Sequence, residues 1–263
     1  MQLNDCHVLL TGATGGIGEQ VARQLARRGA RLLLVGRQEE RLQALAAECG
    51  KRSAILCADI ATQVGRTAVE QAVQRFGGIH VLINAAGVNQ FGLLEQLDEE
   101  TVAKVIQLNV TSTIQLTQRL LPLLRRQPQA MVVNVGSTLG SIGYAGYATY
   151  CASKFALRGF SEALRRELAD TGVQVLYIAP RATCTSINEP RVVAMNDELK
   201  VAMDDPQWVA GELVASIEQG LVERYLGWPE KLFVRLNALL PRLVDGALRK
   251  QLPVIQRFAR KKS

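Results

Sequence analysis

Tyr150-Cys151-Ala152-Ser153-Lys154 sets a phenol and an ammonium four residues apart. On a helix this spacing puts both side chains on one face, one turn apart. A phenol ordinarily titrates near ~10, too high for ready proton exchange at neutral pH. An ammonium fixed beside it favours the phenolate and lowers that value. The pair is suited to general acid/base work on a carbonyl or alcohol oxygen. On an arbitrary helix the same two residues would be a packed ring and a solvated charge, so the reading depends on the elements that position them.

The first such element is Thr11-Gly12-Ala13-Thr14-Gly15-Gly16-Ile17-Gly18. It follows an apolar run over residues 6–10, suited to a buried strand. It precedes residues 19–28, where Val21, Leu25 and Ala26 continue a helical face begun at Ile17. A strand, a glycine turn and a helix form the setting that a phosphate-binding loop needs. Glycines let the backbone approach a pyrophosphate, and the helix N-terminus supplies free N–H groups and a positive dipole end. A plain tight turn would need only one glycine.

These motifs, with the segments between them, resemble the short-chain dehydrogenase/reductase family over roughly residues 5–227. The glycine loop fits that family's T-G-x-x-x-G-x-G through Thr11, Gly12, Gly16 and Gly18, and Gly15 also permits the longer, epimerase-like pattern. Asn84-Ala85-Ala86-Gly87 after a strand, Asn109 in a helix, and a chain of 263 residues favour the short single-domain branch. Ser137 stands thirteen residues before Tyr150, where the family carries its catalytic serine. The resemblance implies an enzyme that reversibly transfers hydride between a nicotinamide cofactor and a ketone or secondary alcohol. It implies that Ser137 polarises the substrate oxygen and that Tyr150 exchanges the proton. Lys154 would lower the Tyr150 pKa and hold the nicotinamide ribose, and Asn109 would hold a water behind Lys154. The cofactor residues it implies are Gly12, Thr14, Gly16, Ile17, Gly18, Asp59, Ile60, Asn84, Ala85, Gly87, Pro180, Thr183 and Thr185, together with Tyr150 and Lys154. A homodimer or homotetramer would be usual.

Cofactor choice is readable at the end of the second strand. An acidic residue there binds the adenosine ribose and repels a 2′-phosphate, whereas an arginine accommodates the phosphate. The strand ends Leu34-Val35-Gly36-Arg37, so Gly36 stands at the acidic position and Arg37 follows it. This favours NADP(H) over NAD(H). One departure from the family stands after the sixth strand, where Pro180-Arg181 replaces Pro-Gly. Arg181 is expected either to be strained, if its backbone needs positive φ, or to face the substrate and favour an anionic one. The stretch 186–205 is expected to cover the substrate.

A chain of this length suits one α/β domain around one core. The alternation of strand and helix patterns predicts a doubly wound parallel sheet of seven strands, Rossmann-like, over residues 1–228. Strands are expected at 6–10, 31–36, 53–58, 79–84, 130–136, 173–178 and 224–227. The five cysteines are scattered, with no C-x-x-C pair, which suggests reduced thiols and a cytoplasmic protein. His7 and His80 form no metal-ligand pattern, so no metal is expected. The N-terminus lacks the basic and apolar regions of a signal peptide.

Residues 229–263 differ from the rest. They hold nine basic and two acidic side chains, net +7, while residues 1–228 hold 22 of each sign. Leu232, Leu236, Leu239, Leu240 and Leu243 form an apolar helical stripe, and Pro241 and Pro253 should break the helices. Such a basic amphipathic extension either packs its stripe on the domain or a second subunit, or lies peripherally on an anionic membrane surface. Nucleic acid is not an expected partner, for no recognition motif is present and aromatics are few. The leading function is an NADP(H)-dependent oxidoreductase with a small carbonyl or alcohol substrate, for which the tail points to a lipid-like or acyl compound. The alternatives are a nucleotide sensor that keeps the fold without turnover, and an epimerase- or dehydratase-like use of the cofactor.

Overall fold

The computed structural model describes residues 1–260. Lys261 and Lys262, counted above in the charge of the tail, lie outside the described residues. The chain runs β1 His7–Thr11, α1 Gly16–Arg27, β2 Arg31–Gly36, α2 Glu39–Cys49, β3 Ser53–Cys57, α3 Gln63–Arg75 and β4 Val81–Asn84. It continues with α4 Glu99–Ile106, a π-helical turn Gln107–Ser112, α5 Thr113–Leu124, β5 Ala130–Val135, α6 Ala148–Glu167 and β6 Val173–Ala179. Then follow α7 Pro190–Glu198, α8 Pro206–Glu218, β7 Glu223–Tyr225, and three tail helices, α9 Glu230–Leu239, α10 Pro241–Arg249 and α11 Leu252–Ala259.

The seven strands form one sheet in the order β3-β2-β1-β4-β5-β6-β7, and every neighbouring pair is parallel. A parallel sheet covered by helices on both faces needs strands apolar on both faces. β1 shows this alternation: Val8 and Leu10 enter one core cluster with Val21 and Leu25 of α1, and Leu9 enters the other with Leu116 and Leu120 of α5. The strand order reverses direction between β1 and β4, so a crevice opens at their carboxyl ends, where ligands bind in such sheets. The expected strands are all present, and β2 matches at both ends. β4 begins two residues after the expected start, and the short seventh strand ends at Tyr225.

Pro241 and Pro253 lie in the first turns of α10 and α11, so they start helices while ending the preceding ones. The leucine stripe does not pack on the domain as one reading expected. Leu232, Leu239, Leu240 and Leu243 are exposed, and the tail is held instead by Val234, Val244, Ile255 and Ala259. Ile255 and Ala259 join a third cluster with Phe91, Tyr147, Cys151, Val192 and Met195. That cluster ties α11 to α7 of the covering segment and to α6. Among the described residues, no helix is long and apolar enough to cross a membrane.

Candidate active site

The glycine loop turns between β1 and α1. Gly12 has φ +66°, and a Cβ there would stand 2.7 Å from the Ala86 backbone. At Gly18 a Cβ would meet the Gly12 carbonyl oxygen at 2.2 Å. Any side chain at either position would push the loop away from the crevice. Thr11 Oγ1 accepts from the N–H groups of Ala85 and Ala86 at 3.2 and 3.3 Å, and so locks the loop's base to the end of β4.

Two cavities meet at this crevice. One, of about 380 Å³, is lined by Gly12, Thr14, Gly16, Ile17 and Gly18, by Gly36 and Arg37, by Asp59 and Ile60, and by Ala85, Gly87 and Thr185. The other, of about 410 Å³, holds Ser137, Tyr150, Lys154, Pro180, Thr183 and Thr185. Ile17, Ala85, Gly87, Val88, Thr185 and Ile187 line both, so the first runs into the second. Every residue expected at the cofactor, except Asn84, is on one or the other wall. Asn84 is buried, and its Nδ2 donates to Asn134 Oδ1 at 2.8 Å and to Thr117 Oγ1 at 3.1 Å. It pairs with Asn134 in the β4–β5 register, so it ties the sheet to α5 and lines neither cavity.

Ser137 ends β5. Its Oγ accepts from Leu139 N–H at 3.1 Å, and the Tyr177 hydroxyl donates to its carbonyl at 3.2 Å. Tyr177 is therefore a positioning residue beneath Ser137; its place in β6 gave no hint of this. Tyr150 stands close enough to the Ser137 hydroxyl for that hydroxyl to favour its phenolate. Lys154 lies 5.7 Å from the centre of the Tyr150 ring, and its Nζ donates to the Val135 carbonyl at 3.0 Å. The π-helical turn presents Asn109 toward this group. Its Oδ1 accepts from Val88 N–H at 2.8 Å, and its Nδ2 donates to the Val88 carbonyl and to Ser153 Oγ, each at 3.0 Å. Single π turns within helices commonly serve functional sites.

Burial of both groups acts against the expected lowering of the Tyr150 pKa by Lys154. Burial pushes Tyr150 up to about 12, with the Ser137 hydroxyl pulling the other way. Burial also draws Lys154 down to about 8. Both shifts come from the loss of water around the buried groups. Tyr150 is thus protonated at neutral pH, the form that gives a proton to a ketone.

Arg181 departs from both expectations. It has no positive φ. Its Nε and Nη2 donate to Asp204 Oδ1 at 3.0 and 2.8 Å, and its Nη1 to Glu230 Oε2 at 3.1 Å and the Trp228 carbonyl at 3.2 Å. It lines the cavity that holds Ser137 and Tyr150, but two carboxylates neutralise it, so it provides no free charge for an anionic substrate. Asp204 is buried, and removing its arginine would leave an uncompensated charge, which typically costs ~3–5 kcal/mol.

Sequence reasoning also missed Arg41, whose Nη2 donates to the Thr14 carbonyl at 2.6 Å and which shares the first cavity's wall with Arg37. Its place in the first turn of the helix after Arg37 was the available signal. Equally missed was the tail's share of the catalytic cavity: Phe233, Val244, Ala247, Leu248 and Gln251 form one wall. Cys151 is packed, as expected, and burial pushes its thiol up. His7 and His80, distant in sequence, meet edge-on with ring centres 5.4 Å apart at the opposite end of the sheet. Among the described residues, no group could hold a metal ion.

The short chain dehydrogenase family matches residues 6–195. The chain belongs to this family. It is 32% identical over 235 residues to the 3-oxoacyl-[acyl-carrier-protein] reductase FabG of Vibrio cholerae, covering 89% of this chain and 94% of that one. A short chain dehydrogenase from Burkholderia cenocepacia, solved in complex with NADP, superposes with a TM-score of 0.81 at 25% identity, over 94% of this chain and 99% of that one. The 3-ketoacyl-(acyl-carrier-protein) reductase from Brucella melitensis, complexed with NADH, superposes with a TM-score of 0.77 at 25% identity, over 85% and 96%. The chain is thus an oxidoreductase of the short-chain dehydrogenase type, acting on CH–OH and C=O groups.

Proposed function

We propose that this enzyme reduces a ketone, or oxidises the matching secondary alcohol, with NADP(H), and that the rest of its substrate is apolar. The observation that carries the reaction is the convergence of Ser137, Tyr150 and Lys154 on a cavity continuous with the glycine-loop cleft. The cofactor, when bound, supplies or accepts the hydride. The glycine loop would hold its pyrophosphate, and Asp59, Ile60, Ala85 and Gly87 would flank its adenosine half. Pro180, Thr183 and Thr185 would face its nicotinamide half. Ser137 donates to the substrate oxygen, and the bond strengthens as charge grows there. Tyr150 gives that oxygen a proton in reduction and takes it back in oxidation. The Lys154 ammonium steadies the phenolate left behind, and the free lone pair of Asn109 Oδ1 would hold the water that returns the proton.

Support for NADP(H) comes from the end of β2, where Arg37 and Arg41 line the cleft and no carboxylate occupies the Gly36 position. Support for an apolar substrate comes from the walls beyond the catalytic corner, where Val88, Leu139, Ile142, Val192, Phe233 and Leu248 dominate. Ketones, secondary alcohols and acyl thioesters of graded chain length, followed at the nicotinamide absorbance, test both points. Longer apolar chains should lower KM, and NADPH should outperform NADH. Preference for short, charged substrates with NADH would overturn the reading.

The pH profile should follow Lys154. Below about pH 8 its ammonium is present, and above that it is lost while Tyr150, at about 12, stays protonated. Ketone reduction should therefore slow as pH rises through about 8. A kcat profile for reduction that stays flat to about two units above that point would contradict this.

A further inference from the structure

α9 and α10 pack against each other with Leu240 at their junction. Their outward side is apolar to a degree unusual for a solvated surface. Leu239 is 80% exposed, Trp228 70% and Leu243 63%, with Leu232 and Leu240 also exposed. Contiguous exposed apolar groups rimmed by polar ones mark interaction surfaces. Lys231, Arg235, Arg242 and Arg249 lie on the same two helices and Lys250 directly follows them, all exposed. Among the described residues, none of the five is in an ion pair. Of the two acids on this stretch, Glu230 is held by Arg181.

This composition selects the partner. A second copy of the same face would set unpaired cations against unpaired cations, which is strongly disfavoured. Nucleic acid would satisfy the cations and leave the leucines without a partner. An anionic bilayer satisfies both, with leucines entering the acyl boundary and cations meeting lipid phosphates. The inner side of the same helices adds a geometric reason. Phe233 and Ala247 are exposed, yet they line the catalytic cavity, so the cavity's mouth adjoins the leucine face.

We infer that the α9–α10 pair docks on an anionic lipid bilayer and seats the mouth of the catalytic cavity at the lipid surface. The corollary, a ketone or alcohol drawn from the bilayer, rests on the reaction proposed above; the docking itself does not.

The full chain should co-sediment with phosphatidylcholine vesicles containing phosphatidylglycerol, and weakly or not at all with pure phosphatidylcholine. Binding should fall as salt shortens the Debye length from ~10 Å at 0.1 M to ~3 Å at 1 M. Leu239→Gln with Leu243→Gln should weaken it by roughly tenfold or more, given what burying leucine contributes. Arg235→Glu with Arg242→Glu should abolish the preference for anionic vesicles. None of these four residues lines either cavity, so turnover of a short water-soluble ketone should be unchanged in both variants, which also verifies their folding. Absence of vesicle binding at low salt overturns the inference. So does binding that both variants retain, and so does a leucine variant whose main effect is to dissociate a dimer. Vesicle binding without turnover of any carbonyl compound would leave docking intact and fault only the proposed reaction.

Discussion

Tyr150→Phe should lose nearly all turnover while cofactor affinity stays close to wild type. The substitution keeps the ring against Tyr147, 6.1 Å away between centres, and deletes only the hydroxyl beside Ser137. Loss of general acid/base catalysis typically costs roughly 10²–10⁴-fold. Because one group donates the proton in reduction and accepts it in oxidation, the loss should be comparable in both directions. Single-turnover rates with a pre-bound cofactor separate the chemical step from binding. A variant with about half of wild-type turnover would remove Tyr150 from the reaction.

Arg37→Ala should raise the KM for NADPH by roughly ten- to a hundredfold, since a hydrogen bond to a charged group contributes ~1.5–3 kcal/mol. NADH should be almost unaffected. Arg37 is the better target than Arg41, because Arg41 also holds the Thr14 carbonyl, and its loss would disturb the loop itself. Adding Gly36→Asp should then shift preference toward NADH. The new Cβ would lie 3.3 Å from Thr14 Oγ1 and 3.4 Å from Leu42 Cδ2, tight contacts with the ends of movable side chains. Kinetics with both cofactors decide the matter; a wild type that already prefers NADH would refute the reading of this strand end.

The sheet was legible in the sequence because a buried parallel strand must be apolar on both faces, and few other segments are. The Tyr150–Lys154 pair was legible because both residues share one helix, so their relation is local. Asn84 was misplaced for the opposite reason. Its neighbours Ala85 and Gly87 do line the cavities, but the pleat turns Asn84 itself toward Thr117 and Asn134, and their partnership across strands leaves no local trace. Arg181 could be recognised as a departure but not understood. Its partners lie 23 and 49 residues away, and nothing in a helical or strand pattern announces such a contact. The tail's leucines showed an amphipathic period, yet periodicity marks a face without saying what covers it. The buried apolar residues of the tail, Val234, Val244, Ile255 and Ala259, form no stripe.

The three-way ion pair of Arg181, Asp204 and Glu230 also bears on ancestry. It joins the segment after β6, the end of the substrate cover and the first turn of the tail. An arginine in the usual glycine's place is of use only when the acids that answer it are present, and buried Asp204 is tolerable only with the arginine. The three positions are therefore expected to change together among relatives, which an alignment of the family would check. A relative that ends at β7 should revert to glycine after its proline, and one that keeps this arginine should carry the helical extension. The identity of this one residue thus offers a marker, readable without any structure, of which members of the family share the walled cavity.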